Sequence, residues 1–377
     1  MSETSLNHSG NHPGRIVVKL GSNVITAKND LDLKVIESVS RQISVLMDKG
    51  IEVILVSSGA QAAGLRKMGM QSKPSSIPER QATAAIGQSG LMMTYENSFA
   101  EYNKKVAQIL LTGEDLNNRK RYLNARNTLT TLIEWKILPI INENDTIMVE
   151  EIKLGDNDNL SAMISLLMNA DMLYILTDID GLYNKDPRRF SDAKLITEVK
   201  EFNKEIEDYA DLIPGTLGTG GMLSKLKAAQ KVTSAGIPMV VAKGTIPDVL
   251  LKLLDGQKLG TFFVPKKKKM ASRKCWIAHT IAPKGSISID EGAVCAVRDK
   301  GKSLLPAGIE KVHGEFGQGA AVTIQSISGD MIGTGLVNYD SSDIRLIKGL
   351  KTSQIEACLG SRPYDEIIHR DNLVLKE

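Results

Sequence analysis

Three charged side chains stand where an ordinary soluble chain has little use for a charge. Lys19 interrupts the apolar run IVVKL (16–20), and Lys225 opens a helical pattern behind the glycine-rich GTLGTGGMLSK (215–225). Asp158 lies in KLGDNDNLSA (153–162), where four acid or amide side chains, Asp156-Asn157-Asp158-Asn159, crowd together at a helix start. A charge buried in an apolar strand is costly unless it is paired, so a lysine there needs a partner, a ligand or a route to solvent. A glycine-rich loop running into a helix offers free N–H groups and a positive dipole end to an anion. A second stretch of little side-chain bulk, SSGAQAAG (57–64), lets its backbone approach an anion in the same way. The chemistry this points to is the holding of a phosphate-like group. Each feature also has a plainer account. Lys19 could snorkel to the surface, Lys225 could be a solvated helix position, and an Asp or Asn could cap the helix for about 1 kcal/mol. One cap does not need four such residues in a row.

Other chemistries lack their motifs. No GxxxxGK[ST] occurs, and Gly218-x-Gly220 has neither a third glycine nor a preceding strand, so P-loop and dinucleotide sites are excluded. No GxSxG elbow occurs and no histidine falls on a strand end, which disfavours a Ser-His-Asp hydrolase. HExxH and CxxC are absent, so no protein-held metal is expected. The three cysteines are scattered, as in a reducing compartment, and a cytoplasmic protein is expected. A net charge of +3 gives no whole-molecule attraction to nucleic acid.

The elements that must position these residues are short apolar runs alternating with helical patterns. RIVVKLG (15–21), IEVILVSSG (51–59), VAQILLTG (106–113), ILPIINEND (137–145), DMLYILTD (171–178) and GIPMVVAKG (236–244) read as strands buried on both faces of a mainly parallel sheet. Between the first two, Leu33, Ile36, Val39, Ile43 and Leu46 form one apolar stripe at helical spacing. The repetition predicts a three-layer αβα sandwich. Ligands of such sheets collect beyond the carboxyl ends of strands. Here those ends carry Gly21-Ser22-Asn23, Ser57-Ser58-Gly59, Asn142-Glu143-Asn144-Asp145 and Thr177-Asp178. Four small, polar or charged ends in one domain predict a shared crevice.

With 377 residues, more than one core is expected. The polar segment 1–14 has no apolar core of a signal peptide and is expected to be a disordered tail, followed by the α/β domain over 15–265. KKKKMASRK (266–274), within a linker spanning 266–275, carries six basic residues and no acid, and the texture then changes. GSISID, AVCAVRD, AVTIQSIS and TGLVNYD are short alternating segments that predict a small β-barrel within 276–377, closing with a helical TSQIEACLG. The basic run is read first as a solvated connector, with a phosphate-backbone or domain-docking role as the alternative.

KLGSNVIT, VSSGAQAAG, LNARNTL, INENDTI, EIKLGDNDNLSA, ILTDIDGLYNKDPR and LGTGGMLSK occur in an order that resembles the glutamate 5-kinase branch of the amino acid kinase family, over roughly 15–263. CWIAHTIAPKGSISIDEGA and SLLPAGI resemble the PUA domain appended to bacterial members of that branch. The resemblance implies ATP-dependent phosphorylation of the glutamate γ-carboxylate, the first step of proline synthesis, with a glutamyl phosphate reductase taking the product. It implies that Lys19 and Lys225 neutralise the transferring phosphoryl group and that Asp158 holds both lysines. It implies glutamate binding by Ser58, Gly59, Asp145 and Asn157. Lys19, Thr177 and Asp178 would contact ATP, and Thr219, Gly220, Gly221, Met222, Leu223, Ser224 and Lys225 would wrap its phosphates. Mg²⁺ would arrive bound to the nucleotide, since it keeps waters and takes few protein ligands. A homo-oligomer is implied, and because PUA domains often bind RNA the resemblance admits RNA as a partner; no membrane is involved. Asn23 stands where the family has a small hydroxyl residue, and it is left outside the expected catalytic set. Two other readings compete. One is another amino acid kinase, acting on aspartate, acetylglutamate or a nucleotide; for an aspartate kinase an ACT-type module would be expected in place of the PUA-like barrel. The other is an RNA-binding protein on a kinase scaffold, against which the barrel offers few stacking aromatics, Phe316 and Tyr339.

Overall fold

The computed structural model describes residues 12–27, 30–70, 74, 76–147, 157–211, 221–266, 274, 277 and 283–376. The chain forms two compact units, Met1–Lys269 and Met270–Glu377. Most of the expected tail and linker lies outside the described residues.

In the first unit the six apolar runs all form strands: β1 (Arg15–Leu20), β4 (Glu52–Ser57), β5 (Val106–Leu111), β6 (Leu138–Glu143), β7 (Met172–Thr177) and β9 (Met239–Lys243). The short pieces β2 (Thr26–Ala27) and β3 (Asp30–Leu31) pair as a separate ribbon, and β8 (Glu198–Val199) and β10 (Thr261–Phe263) extend the sheet. Its order is β5-β6-β4-β1-β7-β9-β10-β8, parallel throughout except where β10 runs against β9. Two- and three-residue strands are too short to show a period, which is why β2, β3, β8 and β10 were not expected.

Side chains alternate across the sheet. Ile16, Val18 and Leu20 face a core shared with α2 (Leu33–Asp48), α4 (Ile77–Ala100) and α10 (Val249–Leu254). Lys19 faces the other layer, where α7 (Asn157–Leu167) packs on β1 and against α9 (Met222–Ser234). The stripe read for α2 is buried at Ile36, Val39, Ile43 and Leu46, whereas Leu33, in the first turn, is 49% exposed. In-register pairing sets Leu20 level with Ser57 and Leu176, and Leu111 level with Glu143, so the polar strand ends emerge at one edge. Among the described residues no helix is long and apolar enough to cross a membrane.

The second unit has its own core and a five-stranded sheet of order β12-β11-β13-β14-β15: β11 (Ser286–Ile289), β12 (Ile309–His313), β13 (Ala321–Ser326), β14 (Met331–Leu336) and β15 (Leu373–Leu375). The expectation of a strand at AVCAVRD is corrected. Residues 291–294 are α-helical and 295–299 continue as a π-helical turn, capped by the Asp290 side chain, which accepts from Ala293 N–H at 2.7 Å. Val294 and Val297, three apart, are the buried pair, so the apparent alternation was a helical period sampled over too few residues. TSQIEACLG is helical as expected, over Ile355–Leu359 with Gly360 at φ 73°, but the fold does not close there, because β15 returns to pair with β14.

Candidate active site

Asp158 is fully buried at the second position of α7. Its Oδ1 forms an ion pair with Lys19 Nζ from β1, and its Oδ2 accepts from Lys225 Nζ on α9 at 2.9 Å. Both lysines are 4% exposed, which excludes snorkelling for either. Ser224 Oγ lies 2.8 Å from Asp158 Oδ2 and 2.8 Å from the Gly221 carbonyl, so its single hydrogen has two acceptors. Burial by itself would raise the carboxyl pKa, but the two ammonium groups overturn that and hold Asp158 ionised far below the usual carboxylate range. Among these three side chains one carboxylate faces two ammonium groups, an excess of one positive charge within the trio. That excess, at the edge where β1 and β7 end, suits a polyanion.

The first turn of α9 brings Gly221, Met222, Leu223 and Ser224 beside Lys225. Gly221 occupies the position before the helix and makes no side-chain cap, so the leading N–H groups are not capped by it. Thr219 and Gly220 lie outside the described residues, as does Asp156. At Gly21, two residues after Lys19, a Cβ would stand 3.3 Å from the Leu176 carbonyl oxygen, a tight approach, and 3.8 Å from Lys19 Nζ, an ordinary contact.

A second polar group sits at the ends of β4 and β6. Asn157 Nδ2 donates to Ser58 Oγ (2.8 Å), to Asn142 Oδ1 (3.0 Å) and to the Ser57 carbonyl (3.1 Å). Asn142 in turn donates to Gln88 Oε1 on α4 at 3.0 Å. Asn157 Oδ1 is buried with no hydrogen-bond partner among the described residues, an acceptor open to an N–H donor. Gly59 takes φ 101° at the start of α3 (Ala60–Lys67), and a Cβ there would meet Ile25 Cδ1 at 2.9 Å, so this turn needs glycine. Asp145 follows β6 in a short 3₁₀ turn, and burial pushes its carboxyl up to about 6. The expected glutamate-side residues Ser58, Gly59, Asp145 and Asn157 thus all stand at the ends of β4 and β6 or on α7. Adjacent residues Asn157 and Asp158 serve the two different groups.

At the end of β7, Thr177 Oγ1 donates to Asp178 Oδ1 at 3.1 Å, and Asn23 Nδ2 donates to Asp178 Oδ2 at 3.0 Å. Asn23, left outside the expected set, therefore ties the turn after β1 to the turn after β7. Its amide reaches further than a hydroxyl would, which is a use for the departure from the family pattern. Sequence reading also passed over Gln88 and gave Asn142 no role. Asn142 carried a signal, its place at a strand end; Gln88 lies mid-helix and carried none. Among the described residues no group of three or more His, Cys, Asp or Glu side chains could hold a metal ion.

Comparison with known proteins agrees with this architecture. The Amino acid kinase family matches residues 14–243 and the PUA domain residues 285–359. A "Glutamate 5-kinase" of Thermoanaerobacter sp. (strain X514) is 48% identical over 364 residues, which is 96% of this chain and 98% of that protein. The "Glutamate 5-kinase" of Caldanaerobacter subterraneus subsp. tengcongensis is 49% identical over 364 residues, with the same coverage of each. That of Syntrophus aciditrophicus (strain SB) is 49% identical over 361 residues, 96% of this chain and 94% of that protein. Likeness of this depth along nearly the whole of both chains, both domains included, means that the chain belongs to the glutamate 5-kinase family of amino acid kinases with a C-terminal PUA domain.

Proposed function

We propose that this chain transfers the γ-phosphoryl group of ATP to the γ-carboxylate of L-glutamate, giving L-glutamyl 5-phosphate, the first step of proline biosynthesis. The observation that carries the reading is the buried Lys19–Asp158–Lys225 cluster, with its net positive charge, at the edge where the polar strand ends meet. A carboxylate with a reference pKa of about 4.3 is already ionised near pH 7, so the acceptor needs no general base. Catalysis reduces to aligning two anions that repel each other and stabilising charge as the phosphoryl group moves. Lys19 and Lys225 stabilise that charge, and Asp158 fixes their positions. Thr177, Asp178 and the segment Thr219 to Lys225 hold ATP, while Ser58, Gly59, Asp145 and Asn157 hold glutamate. Mg²⁺ would come with the nucleotide and would supply charge shielding to its phosphates.

An acyl phosphate hydrolyses readily in water, so a reductase that consumes it directly is the expected next partner. A homo-oligomer and RNA contact through the PUA domain belong to the same proposal, as does a division into kinase (15–265), linker (266–275) and PUA-like (276–377) segments in a cytoplasmic protein. The test is ATP turnover against a panel of amino acids, with any acyl phosphate trapped by hydroxylamine. Hydroxamate from glutamate and little from aspartate or acetylglutamate is the expected result. Turnover with another acceptor at a higher kcat/KM overturns the substrate assignment.

A further inference from the structure

We propose that Tyr95, a core residue of α4, positions the glutamate-binding turn after β4 through a buried hydroxyl contact with Ser57. The inference rests on the glutamate reading of the site. Tyr95 is fully buried, and its ring stacks on Phe99 with centroids 6.2 Å apart, so the ring itself is ordinary core. Its phenol oxygen is not. It lies 2.7 Å from Ser57 Oγ, and Ser57 is equally buried as the last residue of β4. Ser57 Oγ also lies 3.1 Å from the Ser58 carbonyl, to which it donates. A serine hydroxyl has one hydrogen, so the arrangement closes only if Tyr95 O–H donates to Ser57 and Ser57 passes its own hydrogen to Ser58. Burial pushes the Tyr95 phenol up, which keeps it protonated and able to donate.

The neighbouring atoms on the same two residues are those that meet Asn157. The Ser57 carbonyl accepts from Asn157 Nδ2, and Ser58 Oγ accepts from the same nitrogen. The turn is thus held on both sides: by α7 through Asn157, and by α4 through Tyr95. Between them the chain passes at once into Gly59 at φ 101°, so residues 57–58 lead directly into the turn that begins α3. Any buried phenol must pair its hydroxyl; what distinguishes this one is its partner, the residue next to Ser58, whose own hydrogen goes on to the Ser58 carbonyl. Tyr95 is therefore a positioning residue; it does not reach the substrate.

The test is steady-state kinetics on the full-length protein with Tyr95→Phe, Ser57→Ala and the double variant, alongside thermal unfolding of each. The expected result is a glutamate KM raised roughly three- to ten-fold in each single variant, the effect of losing about one hydrogen bond. The KM for ATP and kcat should stay within about two-fold, and the double variant should be no worse than the poorer single one. A lower melting temperature with a wild-type glutamate KM in both single variants overturns the proposal, since a structural role alone would do that. If Tyr95→Phe does not fold, Ser57→Ala decides by the same criterion. Wild-type protein in the same hydroxamate assay separates the two claims: no turnover of glutamate sinks the substrate reading, whereas wild-type turnover with unshifted variants sinks only the role of Tyr95.

Discussion

At the scale of single residues, the site depends on charges that the protein keeps out of water. Asp158 is the common anchor of two buried ammonium groups, so Asp158→Asn takes the carboxylate away from both. We expect it to cost about 3–5 kcal/mol of stability, read from denaturant unfolding, besides abolishing turnover. Lys225→Ala keeps one ammonium on Asp158 and should chiefly lower kcat, by roughly a hundred-fold or more, with glutamate KM nearly unchanged; a wild-type rate contradicts its role. Asp145 carries the opposite balance. Its carboxyl titrates near 6 in the folded chain against 3.8 ordinarily, so ionised Asp145 destabilises the fold above pH 6. That cost disappears as the pH falls from 6 towards 3.8. Asp145→Asn should therefore be more stable than wild type at pH 7, by up to about 3 kcal/mol, with the gain shrinking on acidification. The same substitution should raise the glutamate KM, and wild-type KM should itself rise below pH 6 as the carboxylate protonates. An effect confined to ATP would place Asp145 on the wrong side of the site. Asn23→Ser withdraws the donor from Asp178 and should raise the ATP KM a few-fold without moving that for glutamate.

At the scale of elements, the glutamate side hangs on the crossing of α3 and α4. A Cβ on Gly87 would fall 1.8 Å from the Ala60 carbonyl oxygen, and one on Gly64 would fall 1.9 Å from that of Thr83. Backbone occupies both spaces, so the helices must separate to admit even alanine. Overpacking of this kind costs about 1–3 kcal/mol or more. Because α3 starts at Ala60, directly after Ser58 and Gly59, the displacement should also reach Ser58: Gly87→Ala is expected to lower the melting temperature and raise the glutamate KM together. A lower melting temperature with unchanged KM would uncouple the crossing from the site. This contact was invisible in the chain, where Gly64 and Gly87 are 23 residues apart and read as ordinary helix positions. The short segment AVCAVRD (293–299) shows the same limit from the other side, since seven residues were too few to tell a period of two from one of 3.6.

At the scale of the whole molecule, each unit closes its own core. Ile16, Leu55 and Tyr95 belong to one cluster, and Ile287, Val322 and Ile324 to another. A large-to-small change in the second, such as Ile324→Ala, should cost that unit about 2–5 kcal/mol while glutamate KM and kcat in the full-length protein stay near wild type. Calorimetry showing the first unit destabilised equally would make the cores interdependent.

The sequence by itself determined the parallel sheet and the residues at its strand ends, because strands buried on both faces must be continuously apolar and any polar residue closing them is conspicuous. It also marked Lys19 and Asp158 as charges needing an explanation. That one aspartate answers for two lysines, one of them 139 positions away, was implied by the family resemblance and by no local pattern, and its contacts came from the tertiary structure. Tertiary structure alone decided that Asn23 meets Asp178 and that a core tyrosine reaches the turn bearing Ser58. Those pairings follow from strand order and helix crossing, and neither leaves a local period or composition from which they could be read.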